Sequence, residues 1–158
     1  MNPKIGISLF NKKTRQQFMA SSKDHLGHKN RVNEFGAGDI ILLNDIESQE
    51  VFGVVTLGVY DSGKIYRDHH LLDDDMYEGD AAKYNKYDIK IAEFRAVAIS
   101  FETLANLCGK DSNSASKTNI WKGTHLNYKN AFFKGDDSEN VLNKLQDIIK
   151  MLLTIQTL

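Results

Sequence analysis

The chain has 158 residues, with 20 lysines and arginines against 21 aspartates and glutamates and a net charge of −1. Such a chain sets up no overall field toward a polyanion, which excludes purely electrostatic nucleic-acid binding and leaves room only for a local basic surface. One cysteine, Cys108, excludes an internal disulfide framework and points to a reducing compartment. The length and the 41% apolar content predict one soluble, cytoplasmic domain over residues 1–158, and no signal peptide or membrane span is read at the N-terminus.

The charges are unevenly spread. Lys23, His25, His28, Lys29 and Arg31 form a basic cluster, and Asp73, Asp74, Asp75, Glu78 and Asp80 an acidic one. In chain order, Ile5, Ile7 and Leu9 alternate within a first strand over Lys4 to Phe10. A helix follows over Asn11 to Ser22, with Asn11 as its N-cap. Lys23 to Gly38 reads as a polar loop, closed by a Gly36, Gly38 and Asp39 turn. Ile40 to Leu43 is a continuous apolar run, as a buried strand requires. The next strand ends near Tyr60 and contains Gly53 and Gly58, which mark a bulge, a bend or close backbone approach.

Asp61-Ser62-Gly63 is a turn, and Ile65 to Lys86 a long loop carrying Tyr66, Tyr77 and Tyr84. Strand character returns from Tyr87 to Ile99, followed by a short helix from Ser100 closed by Gly109. Asp111 to Thr118 is a Ser/Asn-rich connection, and Ile120-Trp121 starts a strand or turn that reaches Phe133. Asp136, Asp137 or Ser138 caps a last helix. There Val141, Leu142, Leu145, Ile148, Ile149, Leu152 and Leu153 make one wide apolar face.

This order of elements, carried by Ile5 to Asn11, Arg31 to Tyr60, Tyr87 to Ala105 and Trp121 to Phe133, resembles the PUA-like superfamily, nearest its EVE and YTH branches. The resemblance implies an α+β fold: a small curved β-barrel with flanking helices and a C-terminal amphipathic helix. It also implies a reader that flips a modified base, such as a methylated one, into an aromatic-lined pocket. DNA is favoured over RNA, in keeping with the modification-dependent restriction systems where EVE-like domains occur. A flipped base is flat and apolar on its faces and polar at its edge, so it needs aromatic plates and a few fixed donors and acceptors.

Carried onto this chain, the resemblance points to Phe10, Asn11 and Lys12 at the end of the first strand. On the basic loop it points to His25, His28, Asn30, Arg31 and Asn33, for base edge or phosphate. One of Tyr66, Tyr77, Tyr84 or Tyr87 is a candidate plate, Tyr66 and Tyr84 foremost, and Trp121, with Lys122 beside it, is another. YTH domains carry a tryptophan on the loop after the first helix, where this chain has His25-Leu26-Gly27-His28. The expected partners are modified DNA or RNA and a nuclease or motor domain in the same or a partner chain, with no membrane.

Two other readings stand beside this one. The related ASCH branch suggests a nuclease or nucleotide-processing enzyme, with His25, His28, Asp68, His69 and His70 as acid–base candidates, although its Gly-x-Lys-x-x-Glu-x-Arg signature is absent. An acidic loop over Asp73 to Asp80 suggests a viral or phage protein-interaction module. Adjacent His69 and His70 cannot easily converge on one metal ion, and no Walker loop or Gly-x-Gly-x-x-Gly fingerprint is present, so no cofactor is expected.

Overall fold

A computed structural model describes residues 3–29, 31–68, 86–109 and 138–155. Its elements are β1 (Ile5–Phe10), α1 (Lys12–Met19), β2 (His25–His28), β3 (Ile40–Asp45), β4 (Glu50–Leu57), β5 (Tyr66–Asp68), β6 (Tyr87–Ser100), α2 (Phe101–Leu107) and α3 (Ser138–Ile155). The strands form one mixed sheet in the order β1-β3-β4-β6-β2, with β5 also on β6. The result is a curled half-barrel with helices, the α+β architecture expected from the sequence.

β1 pairs parallel with β3, and every other pairing is antiparallel. β6 holds the sheet together. Its C-terminal half pairs with β4, while its N-terminal end lies between β5 and β2. Register shifts fall between Leu43 and Asn44 on β3, and between Val51 and Gly53 and Thr56 and Leu57 on β4. Bulges of this kind bend a sheet toward closure. Gly53 belongs to that corner, because a β-carbon there would meet the Phe94 ring.

The two faces bury separate cores. Ile5, Ile7, Ile40, Leu42, Val51 and Val97 pack with Phe101, Leu104 and Ala105 of α2 and Leu145, Ile148 and Ile149 of α3. The inner face packs Ile41, Leu43, Phe52, Val55, Leu57, Ile89 and Ile91 against Phe18 of α1 and against Val32 and Phe35. Strict alternation along β1 and β3 is what divides the residues this way. From Leu145 to Leu153 the apolar face of the last helix is therefore core, as its spacing predicted; the side chains of Val141 and Leu142 lie outside the described residues.

Asn11 caps α1 as expected: its carboxamide oxygen accepts from the Thr14 backbone N–H at 2.8 Å, and the Thr14 hydroxyl accepts from the Asn11 N–H at 3.0 Å. Ser100 caps α2, and Gly109 closes that segment at φ +77°.

Several boundaries differ from the sequence reading. α1 ends at Met19 rather than Ser22, and β4 ends at Leu57 rather than near Tyr60. The polar loop over Lys23 to Gly38 contains β2, and the long loop from Ile65 opens with β5. Neither short strand has enough apolar periodicity to be seen alone. Each forms because β6 supplies its hydrogen-bonding partner, and Leu26 and Tyr66 both lie opposite the buried Ile89. The expected connection over Asp111 to Thr118, the segment from Ile120 to Phe133, and the acidic loop lie outside the described residues. Among the described residues, no helix is long and apolar enough to cross a membrane.

Candidate nucleic-acid interface

The candidate interface lies at the N-terminal end of β6. In register, Tyr87 lies between His28 of β2 and Asp68 of β5, and Ile89 lies between Leu26 and Tyr66. Cross-strand partners share a face, so Tyr66, Tyr87, His28 and Asp68 continue the inner, core-facing side beyond the point where the core stops. The Tyr66 and Tyr87 rings meet edge to face, 5.9 Å between centroids at 89°. The Arg31 guanidinium lies 5.8 Å from the Tyr87 ring centroid, and the Lys64 ammonium 5.5 Å from that of Tyr66. Lys64, Tyr66, Tyr87 and Arg31 thus form one continuous row of cation, ring, ring and cation.

Local structure explains how the row is presented. Buried Val32 and Phe35 anchor the segment after β2, leaving Arg31 and Asn33 exposed. The neighbouring Tyr87 side chain favours the charged Arg31 guanidinium and raises its already high pKa. Lys64 follows the tight turn at Gly63, where φ is +84° and glycine is favoured, and its carbonyl accepts from Tyr60 N–H at 2.9 Å.

His25 alternates with Leu26 and so points to the other face of the ribbon. Its Nδ1 is 2.8 Å from an Asp24 carboxylate oxygen and its Nε2 is 4.0 Å from buried Asp88. The His25 hydrogen bond, with help from Ser22, holds the Asp24 carboxyl below its ordinary value. Asp88 also accepts from Arg67 Nε at 3.4 Å.

The residues expected at the first strand's end go elsewhere. Pairing aligns Phe10 with Asp45, Asp45 with Glu50, and Glu50 with Ser100, which is the opposite end of the sheet from Tyr87. The Phe10 ring is buried, 5.7 Å from Phe18 and 5.2 Å from Phe52, so it is a core residue. The Asn11 carboxamide is used by the helix cap, and the Lys12 N–H by the Glu47 carboxylate. Phe10, Phe18, Phe52 and Phe94 fill the inner face with their own rings, and the Tyr66–Tyr87 pair lies beyond them. Asn30, Tyr84, Trp121 and Lys122 lie outside the described residues.

Of the residues expected from the sequence, Arg31, Tyr66 and His28 lie along this row; Lys64 was not among them. Nothing in their spacing links them; only the register does.

No family model matches the chain, and no curated protein does. Among solved structures, the ASCH protein of Zymomonas mobilis superposes with a TM-score of 0.53 at 10% identity, over 90% of this chain and 95% of that one. A serine-to-alanine variant of the same protein gives 0.53 at 11% identity, over 81% and 94%. The fold is that of the ASCH proteins. ASCH proteins are structural neighbours within the PUA-like superfamily that the sequence resembles, although the branch expected from the sequence was EVE or YTH. At this identity the likeness carries the fold, and function rests on the residues above.

Proposed function

We propose that the chain is a nucleic-acid-binding module that accepts an unstacked, modified base at the open end of its half-barrel, with DNA as the favoured strand. The row of Lys64, Tyr66, Tyr87 and Arg31 carries this reading. A strand presents phosphates and flat bases in alternation, and the row offers the matching cations and rings. Stacking on a tyrosine gains from the extra apolar area of an alkylated base. His28, opposite Tyr87, and exposed Asn33, two residues after Arg31, are the candidates for the base edge. Acting on a read-out mark falls to a nuclease or motor domain in the same or a partner chain.

The deciding experiment titrates labelled single strands carrying modified or plain bases at several salt concentrations. Tighter binding of a modified strand, weakened by Tyr87→Leu with the fold intact, supports the reading. Equal affinity for both strands removes the modified-base assignment, and no binding removes the whole reading.

A second reading, an enzyme on this scaffold, is favoured by the Asp24–His25 pair. A carboxylate that fixes one imidazole nitrogen prepares the other for proton transfer. Cleavage of labelled RNA that disappears in His25→Ala supports it.

A further inference from the structure

The tyrosine row carries an anion as well as its two cations. In register Asp68 lies directly across from Tyr87, with Tyr66 two residues before it on the same strand. Direct cross-strand neighbours have β-carbons about 4.5–5.5 Å apart and share a face. Arg67 and Asp88, one step along each strand, therefore take the other face and leave Asp68 with the tyrosines. Asp68 is exposed, and among the described residues its carboxylate has no hydrogen bond or ion pair. Its charge reaches the row: the Arg31 guanidinium is favoured in its charged form chiefly by Tyr87 and Tyr66, and to a smaller degree by Asp68.

A carboxylate on a surface that meets a polyanion repels every phosphate that comes near, so it lowers affinity for strands in general. Lys64 and Arg31 stand at the ends of the row, whereas Asp68 stands beside the Tyr87 ring, where a stacked base presents its edge. The repulsion is offset only by an edge that donates. Guanine carries two adjacent donors there, N1–H and N2–H, at the spacing a carboxylate accepts as a bidentate pair. Adenine and cytosine set a ring acceptor beside their amino group, and thymine flanks its one donor with two carbonyls. Each of those three turns a lone pair toward the carboxylate. In a single strand or a flipped nucleotide the Watson–Crick edge is open to this reading.

We infer that Asp68 is the specificity residue of the row and that it selects guanine, accepting N1–H and N2–H on its two carboxylate oxygens. The inference rests on the proposed stacking of a base on the row, and it holds for a plain guanine as for a modified one that keeps both donors.

Fluorescence anisotropy with the full chain tests it on thymine strands that carry one central guanine, inosine, adenine or cytosine, beside the all-thymine strand. The guanine strand is expected to bind about tenfold tighter than the all-thymine strand, a gap of about 1.4 kcal/mol. Inosine, which lacks the N2 amino group, is expected between them. Asp68→Asn is expected to weaken the guanine strand several-fold and to tighten the all-thymine strand, with the melting temperature unchanged because the side chain is exposed. A merely solvated charge gives no such crossing, since its removal tightens all strands alike. No guanine preference in the wild type, a preference kept in Asp68→Asn, or uniform tightening overturns the inference, while strand binding and its loss in Tyr87→Leu still stand. Absence of binding to every strand removes the stacking reading and this inference with it.

Discussion

A β-carbon placed on Gly53 would lie 2.6 Å from Cε1 of the Phe94 ring and 3.2 Å from Leu43 Cδ1. The Phe94 ring is itself 5.5 Å from Phe18, so it cannot withdraw without disturbing the aromatic packing under α1. Gly53→Ala should cost about 1–3 kcal/mol, as overpacking of a core does. Urea denaturation measures it. An unchanged midpoint would show that the ring moves freely.

Arg15 bridges two strands. It reaches Asp45 at 3.2 Å and Glu50 at 2.8 Å and stacks 4.6 Å from the Phe52 centroid. Burial pushes the Asp45 carboxyl up, but the N–H groups of Glu47 and Ser48 and the Arg15 guanidinium outweigh it and hold the group below its ordinary value. A depressed carboxyl contributes stability above the unfolded pKa of about 3.9 and loses it as pH falls through the folded value. Arg15→Ala should therefore cost about 1–2 kcal/mol near pH 7. The gap from wild type should narrow as pH falls below the unfolded value. Parallel melts across pH check this, and a gap independent of pH would assign Arg15 a packing role only.

The Asn11 and Thr14 capping box makes a stability prediction separate from binding. Asn11→Ala should cost about 1 kcal/mol. Oligonucleotide affinity per folded molecule should not change, because the cap lies at the other end of the sheet from Tyr87. A binding loss without a stability loss would restore Asn11 to the interface.

On the interface, Tyr66→Leu and Tyr87→Leu should each weaken a single strand by about 1–3 kcal/mol if a base stacks on the ring. Arg31→Gln should instead lower the salt slope by roughly 0.7, the share of one phosphate contact on a single strand. Fluorescence anisotropy across a salt series separates the two. A full salt slope in Arg31→Gln would leave that guanidinium with Tyr87 alone.

Cys108 is buried beneath α3, and burial pushes its thiol up to about 11 despite the nearby Lys144. Thiolate is the reactive form, so alkylation at pH 8 should be slow in the native protein and rapid in denaturant. Mass spectrometry of timed samples reads both rates.

How far the sequence was legible depends on the range of the interaction. The two longest-range features of the row show the limit. Arg31 reaches Tyr87 only because β2 and β6 pair, and Lys64 joins only because β5 occupies the other edge of β6. Phe10 looked like a site residue from its place at a strand end, yet the curl of the sheet turned its ring into the core.

By itself the sequence determined β1, β3, β4, β6 and the three helices, the glycine corner, the Asn11 cap, the Gly109 helix end, and the absence of an internal disulfide. Those follow from periodicity, turn chemistry and capping within a few residues. Only the tertiary structure decided β2 and β5, the two-faced ribbon, and which cations meet which rings. Register joins backbone groups some sixty residues apart, and a slip of one residue would send every one of those side chains to the other face.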